Sequence, residues 1–264
     1  MTNFNLIPFA NDEESKSFVI VKGRFTAISG IRVDILEYDN TKQILKVRAE
    51  QVVLKNTIRS SKRICESIMS LFQKIRERGI MIHIVALTFK PDFSKVTSTF
   101  IKEKIARYDI KQVDLVYFMG LDKTTISLHL KGERLTNYTK AAYFYLFRVF
   151  DRFRAIQAGK AALERSEKFR RGEEIDRNKK TNWIPLDYQP NFDIITAAYI
   201  REQKKKYEIK NKDLVKQMGL DKSTMSLIVN GGYKLTKPIK AAFFHYFYAF
   251  QMSIEDLENY TLAK

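Results

Sequence analysis

The chain has 264 residues and a formal net charge of +17, from 47 lysines and arginines against 30 aspartates and glutamates. Hydrophobic residues make up 45% and charged residues 29% of the sequence, a balance that excludes an intrinsically disordered or collagen-like chain. The one cysteine excludes an internal disulfide, and three widely spaced histidines offer no ordinary zinc-ligand spacing. No apolar run reaches the roughly 18 residues of a membrane span, and the N-terminus lacks a signal-peptide pattern, so we expect a cytoplasmic protein with no membrane partner.

The excess of positive charge indicates which partners to expect. A surface this basic attracts polyanions, that is, nucleic acid or an anionic membrane surface. The lysines and arginines are spread along the chain rather than gathered in one tail. Charge alone leaves a further option open, a basic protein whose cations are simply solvated.

The first 92 residues predict a small α+β domain. Segments rich in valine and isoleucine predict strands, and one segment with apolar residues along a helical face predicts a helix, in the order β-β-β-α-β. The strands are expected at 17–24, 27–38, 43–54 and 80–88, and the helix at 57–78. No family and no role are assigned to this domain at residues 1–92.

Four carboxylates in or near these strands raise the alternative of a metal-dependent nuclease. They are Asp34, Glu37, Asp39 and Glu50. Such an enzyme needs paired carboxylates and a lysine arranged around its metal ions, and the order found here fits no such motif well. The sequence also lacks the motifs of phosphate-binding loops, dinucleotide-binding loops, zinc metalloproteases and serine hydrolases. We therefore expect no enzymatic activity, no catalytic residue, no metal and no cofactor.

An internal repeat dominates the remainder of the chain. Residues 100–150 match residues 199–250 with a shift of 99 and then 100 positions, and 25 of 51 aligned positions are identical. Chance gives only a few identities over this length, so the chain contains two copies of one unit. The domains are expected at 99–151 and 191–260, with a charged helical linker at 152–190.

Each copy predicts three short helices with defined ends. In the first copy, apolar spacing predicts an opening helix through Tyr108, a second over 111–119 and a third that stops at Gly132. Gly120 can adopt positive φ and end the second helix, and Asp122 can cap the third by accepting a bond from a free backbone amide. The second copy has the same signals at Gly219, Asp221 and Gly231. Two short helices joined by a tight glycine-containing turn form a helix-turn-helix.

The order of residues in this motif carries a family resemblance. The first copy has Gln112-Val113-Asp114-Leu115-Val116, then Gly120, then Asp122-Lys123-Thr124-Thr125-Ile126-Ser127 and Gly132. This order resembles the Xre/phage-repressor (Cro/C1-type) helix-turn-helix family, which has Q-x-x-L-A, a glycine, S-x-x-T-[I/V]-S and N-G. The second copy has Asn211 for the glutamine and keeps an Asn230-Gly231 ending, whereas the first copy departs after Phe150. The resemblance implies two lambda-repressor-like domains, in a mainly α chain with a small α+β N-terminal domain.

The resemblance also implies roles for twelve residues. In that family the third helix lies in the major groove with its first turn at the base edges. The base-reading residues are then Lys123, Thr124 and Leu128 in the first copy, and Lys222, Ser223 and Leu227 in the second. Family members hold a phosphate at the start of the second helix, and cations after the third helix contact further phosphates. The phosphate-contacting residues are then Gln112, Lys131, Arg134, Asn211, Lys234 and Lys237. A solvated polar face is the alternative for each.

Other residues of the repeat are expected in the core. Ile126, Met225 and Ile228 face inward, and His129, which stands at the position of Ile228, is expected to be semi-buried rather than catalytic. The aromatic runs at 141–147 and 241–247 have helical spacing, so we expect them to form core or an association surface rather than to stack on bases.

The sequence as a whole predicts a transcriptional regulator that binds double-stranded DNA with two modules acting as an intrachain pseudo-dimer. Two-fold symmetry would set the recognition helices about 34 Å apart, one turn of DNA. A phage- or nucleoid-associated structural or interaction protein, which uses the modules for packing, is one alternative. A mobile-element or nuclease factor with its chemistry in residues 1–92 is another, and a homo-oligomer is the alternative to the pseudo-dimer.

Overall fold

The computed structural model describes residues 11–54, 58–171, 184–185 and 188–262, with side chains as far as Ser253. These residues are mainly helical and contain a three-stranded sheet, which confirms a mainly α chain with a small α+β part. They form two compact units. The sheet unit comprises the residues up to Pro91 together with Gln203–Gln217, and the helical unit comprises Asp92–Glu202 and the residues from Met218 onward.

The sheet unit has the order α-β-β-α-α-β before Pro91. The elements are α1 Asp12–Ser29, β1 Ile31–Asp39, β2 Ile44–Gln51, α2 Ser61–Met69, α3 Gln73–Glu77 and β3 Met81–Leu87, with a 3₁₀ turn at Ser70–Phe72. The strand order is β1-β2-β3. β1 and β2 are antiparallel, with Ile31 opposite Gln51, whereas β2 and β3 are parallel, with Ile44 opposite Met81. β2 is therefore the central strand.

The core of the sheet unit covers one face of this sheet. Leu45, Val47 and Ala49 alternate along β2 and are fully buried, and Ile64 and Ile68 of α2 are buried in the same cluster. A period of two in the strand and of about four in the helix places these side chains on the inward faces. The strands predicted at 43–54 and 80–88 form as the shorter β2 and β3, and the strand predicted at 27–38 forms as β1 from Ile31 to Asp39, since residues 27–29 belong to α1. The single helix predicted at 57–78 forms as α2 and α3 with the 3₁₀ turn between them.

The strand expected at 17–24 is wrong, because this segment lies inside helix α1. Asn11 caps the helix by accepting a bond from the backbone of Glu14 at 2.9 Å, and three acidic residues in the first turn favour a helix N-terminus. Gly30, with φ 71°, ends it. The valines and isoleucine at 19–21 are consecutive rather than alternating, and they are 40–57% exposed. β-Branched composition without alternation did not make a strand here.

The two repeated segments form the same series of four helices. In the first they are α4 Ser98–Tyr108, α5 Gln112–Met119, α6 Lys123–Lys131 and α7 Asn137–Arg171, and in the second α8 Ala197–Lys206, α9 Asn211–Met218, α10 Lys222–Asn230 and α11 Lys237–Leu262. The helices expected from apolar spacing and glycine stops therefore form where they were predicted. The charged linker predicted at 152–190 is helical as far as Arg171, but residues 184–185 and 188–190 are not helical. Residues 172–183 and 186–187 of the linker lie outside the described residues.

The aromatic runs form core, as their helical spacing predicted. Helices α7 and α11 pack against each other in the helical unit. Tyr145 and Tyr246 meet edge to face with ring centroids 5.1 Å apart, and Phe147 and Phe243 are at most 1% exposed. Rings that are buried in this way expose no face to solvent, so they cannot stack on bases.

One of the predicted domains is divided between the two compact units. Residues 203–217 of the expected domain at 191–260 belong to the sheet unit. The reason lies in α9, where the buried Asp213 accepts hydrogen bonds from the hydroxyl groups of Ser61 and Thr88. Both partners lie more than a hundred positions away in the sequence, so local signals could not indicate this packing.

Candidate nucleic-acid interface

Helices α6 and α10 begin in the same way. Asp122 accepts bonds from the backbone nitrogen of Thr125 at 2.8 Å and from its hydroxyl at 2.7 Å. Asp221 accepts the equivalent bonds from Thr224 at 2.8 and 2.6 Å. These bonds, the hydroxyl bond above all, lower the pKa of both carboxyl groups. Each helix thus starts from an ionised cap that fixes the direction of its first turn.

The turn that follows each cap is exposed while the opposite face is anchored. The exposed side chains are Lys123, Thr124, Lys222 and Ser223. Leu227 is 50% exposed, and its counterpart Leu128 is half-buried. Ile126 and Met225 on the inner faces are fully buried, as predicted. Short polar and cationic side chains are therefore held at the surface by a rigid helix, which suits contact with a polar partner.

Five of the six residues assigned to phosphate contacts lie in the helical unit. Lys131 is exposed at the last position of α6, and Arg134, Lys234 and Lys237 are exposed beyond α6 and α10. Gln112 is half-buried at the start of α5, where its Nε2 donates to the backbone carbonyl of Lys123 at 3.3 Å. This bond brings a phosphate-assigned residue next to a base-assigned one.

The sixth phosphate-assigned residue, Asn211, lies in the sheet unit. It is exposed at the first position of α9, and its side-chain oxygen accepts a hydrogen bond from the Lys204 ammonium. The start of α9 is therefore a polar and cationic surface of the sheet unit.

The glycine turns before α6 and α10 carry reciprocal contacts between the repeats. Gly120 and Gly219 have left-handed backbone conformations, with φ 62° and 63°. A Cβ at Gly120 would lie 2.5 Å from the ring of Phe192, and one at Gly219 would lie 2.9 Å from the ring of Phe93. Phe93 and Phe192 precede the two copies at equivalent positions, 99 residues apart. Each repeat thus places a ring on the turn of the other, as in a two-fold symmetric pair.

His245 of α11 links three parts of the helical unit. Its Nε2 donates to the backbone carbonyl of Phe118 in α5 at 2.8 Å, and its Nδ1 accepts a bond from the Tyr188 hydroxyl at 2.8 Å. The ring is fully buried, and burial lowers its pKa to about 3, so the imidazole is neutral. Sequence analysis missed this role, because the partners lie 127 and 57 residues away and leave no local signal.

His129 is more deeply buried than predicted. It is 2% exposed, and its Nδ1 lies 3.1 Å from the Tyr143 hydroxyl. Burial lowers the pKa of the ring. The hydrogen bond joins α6 to α7 and so fixes the recognition-helix candidate of the first copy against the core.

The carboxylates of the sheet make ion pairs with neighbouring cations. Arg32 and Arg48 each contact Glu50 at 2.8 Å, and Lys46 contacts Glu37 at 2.7 Å. Within the described residues, no group of three or more histidine, cysteine, aspartate or glutamate side chains is placed to hold a metal ion. The arrangement of these carboxylates is that of surface ion pairs on strands.

Comparison with known proteins gives no relative, since no family model, no curated protein and no solved structure matches the chain. In the part of the chain that the structure describes, no helix combines the length and the apolar character needed to cross a membrane. A functional assignment consequently depends on the chain's own residues and geometry.

Proposed function

We propose that the chain is a cytoplasmic protein that binds specific sequences of double-stranded DNA and regulates transcription. Each repeat is a helix-turn-helix domain of the Xre/phage-repressor type, with α6 and α10 as recognition helices. One observation carries the proposal: both repeats present an aspartate-capped helix whose first turn is exposed and whose opposite face is buried. A recognition helix needs this combination, because its first turn must enter the major groove while the rest stays fixed.

The exposed side chains suit the edges of bases. Lys123 and Lys222 can donate to guanine O6 and N7, and the hydroxyl groups of Thr124 and Ser223 can contact several bases. The partly exposed Leu227 suits a thymine methyl group. The two helices differ at one of these positions, where Thr124 stands against Ser223, so the proposal implies an imperfect palindrome as the preferred site.

The reciprocal contacts of Phe93 and Phe192 support an intrachain pair. With the packing of α7 on α11, they join the two repeats much as a repressor dimer joins two protomers. A single chain can then bind two half-sites about one DNA turn apart.

Measurement of DNA affinity against salt concentration tests the proposal. If six to eight lysines and arginines contact phosphates, log K falls against log salt with a slope of about −5 to −7, because each contact releases counterions. A slope near zero would reject nucleic-acid binding.

Selection from random duplexes separates regulation from packing. We expect the full chain to enrich one imperfect palindrome. A nucleoid-associated packing protein would show the salt dependence without a preferred sequence, and that result would contradict the regulatory part of the proposal.

A further inference from the structure

A second basic surface lies in the sheet unit. It is formed by Arg59 and Arg63 at the start of α2 and by Lys210 and Lys212 at the start of α9. Lys210 and Lys212 are exposed, and the two arginines are half-buried. We call these four residues the α2–α9 surface.

Buried hydrogen bonds hold the two helix starts together. Asp213, which is 2% exposed, accepts from the Ser61 hydroxyl at 3.3 Å and from the Thr88 hydroxyl at 3.1 Å. At the rim, Lys62 pairs with Glu208 at 2.5 Å. The Asp213 carboxylate also accepts a hydrogen bond from the backbone amide of Lys210. These bonds fix the start of α9 against the start of α2, and Asp213 pairs with no side-chain cation of the α2–α9 surface.

Within the described part of the chain, the four cations of the α2–α9 surface make no ion pair. Among the residues that the structure describes, no carboxylate lies within ion-pair distance of any of them. The Arg59 guanidinium donates to the Ser67 hydroxyl at 2.8 Å, its Nε is buried without a partner, and burial and the charge of Arg63 lower its pKa. Two arginines are thus held near each other with donors to spare.

The lysines of α9 lie near the same part of α2. Their positive charges act on the thiol of Cys65, where they oppose the rise that burial causes in its pKa. Positive charge from two separate segments of the chain is therefore concentrated at one place. The nearby carboxylates are engaged elsewhere, Asp213 with hydroxyl groups and Glu208 with Lys62, so an anion would stabilise the four cations. Guanidinium groups match the oxygen geometry of phosphate.

We propose that the α2–α9 surface binds the phosphate backbone of the duplex that the repeats recognise. The inference rests on the proposed function, and it gives the α+β part a role. Asn211, which the resemblance assigns to a phosphate, stands between Lys210 and Lys212 at the start of α9. Because α9 belongs to the sheet unit, Arg59 and Arg63 continue that contact along the backbone.

The test compares the full chain with an Arg59→Gln/Arg63→Gln variant on one selected duplex. A Lys16→Gln/Lys74→Gln variant is the control, since it removes two exposed cations from elsewhere in the same unit. For B-DNA each lost contact reduces the salt slope by about 0.9, so we expect the arginine variant to lose about two units of slope and the control none. Hydroxyl-radical footprinting should show lost protection at the part of the duplex that the α2–α9 surface contacts. If the double variant folds poorly, the Arg63→Gln single variant repeats the test, with an expected loss of about one unit of salt slope.

The outcomes separate this inference from the proposed function. If the unmodified chain binds with a steep salt slope but the arginine variants match the control in slope and footprint, the α2–α9 surface does not contact DNA and the recognition helices stand. If the unmodified chain shows no salt-dependent binding, both proposals fail.

Discussion

Gly120 shows how much structural information a single residue can carry. Its left-handed φ of 62° disfavours any side chain, and the ring of Phe192 leaves no room for a Cβ. Gly132 is the matched position, since its φ is 93° but a Cβ there would lie at ordinary contact distance, 3.5 Å, from the Ser98 hydroxyl.

The first prediction compares these two glycines. Gly132→Ala should destabilise the protein by about 1–2 kcal/mol through backbone strain alone. Gly120→Ala should cost about 2–4 kcal/mol, because overpacking against Phe192 adds to the strain. Urea denaturation followed by circular dichroism measures both. Equal losses of stability in the two variants would mean that the ring of Phe192 moves aside freely and does not fix the turn at Gly120.

The second prediction concerns acid stability and His245. Its pKa is about 3 in the folded protein against an ordinary value of 6.5. Between these values the unfolded chain binds a proton that the folded protein does not, so stability is full above pH 6.5 and falls by up to about 1.4 kcal/mol per pH unit as pH decreases. His129 acts in the same direction.

Denaturation midpoints at pH 7.5, 6 and 5 check this second prediction. His245→Gln should flatten the dependence of stability on pH, whereas His83→Gln, at an exposed position, should leave it as in the unmodified chain. An unchanged pH dependence in the His245→Gln variant would show that the ring can be protonated within the fold.

At the scale of the element, α10 carries the residues proposed to read bases, whereas a residue proposed to contact the DNA backbone lies beyond it. Lys222 and Ser223 lie in its exposed first turn, and Lys237 opens α11 beyond it. Base contacts discriminate between sequences, whereas phosphate contacts do not. The two kinds of substitution should therefore have different effects.

The third prediction follows from this separation. Lys222→Ala and Ser223→Ala should each relax preference at one half-site by about 1–3 kcal/mol for a good base contact. Lys237→Ala should weaken binding to all sequences alike. Affinities over a panel of single-base variants of the site measure both effects. If all three substitutions act uniformly across the panel, α10 is not the recognition helix.

At the scale of the whole molecule, the question is whether both repeats contact DNA. Lys123-Thr124-Thr125-Ile126-Ser127 and Lys222-Ser223-Thr224-Met225-Ser226 are closely alike, and both helices belong to the helical unit. A linked second module raises affinity through effective concentration, by about 10²–10⁴-fold where the geometry permits.

The fourth prediction tests the pair. Lys123→Ala/Thr124→Ala and Lys222→Ala/Ser223→Ala should each shorten the footprint and remove much of that gain, whereas Lys160→Ala/Ser166→Ala, at exposed positions of α7, should not. If the changes in the first copy leave affinity and footprint untouched, that copy is a packing element. A homodimer of chains would then replace the intrachain pair.

The sequence by itself determined the local features of this protein. The aspartate caps, the glycine stops and the buried faces of α6 and α10 follow from residues within a few positions of one another, and the internal repeat follows from comparing residues 100–150 with residues 199–250. Such features can be predicted because a cap, a left-handed glycine and helical periodicity act within one or two turns. The roles of the twelve candidate site residues are what the family resemblance implies, and their contacts with DNA remain a prediction.

Only the tertiary structure decided what depends on distant partners. It packed Phe18 into the core of the sheet unit, within the helix that residues 17–24 form in place of the expected strand. It placed Phe93 and Phe192 on each other's turns, buried His245 between Phe118 and Tyr188, and joined α9 to the sheet unit through Asp213. These contacts join residues 57 to 152 positions apart along the chain, and no local pattern records which distant surface a side chain will meet.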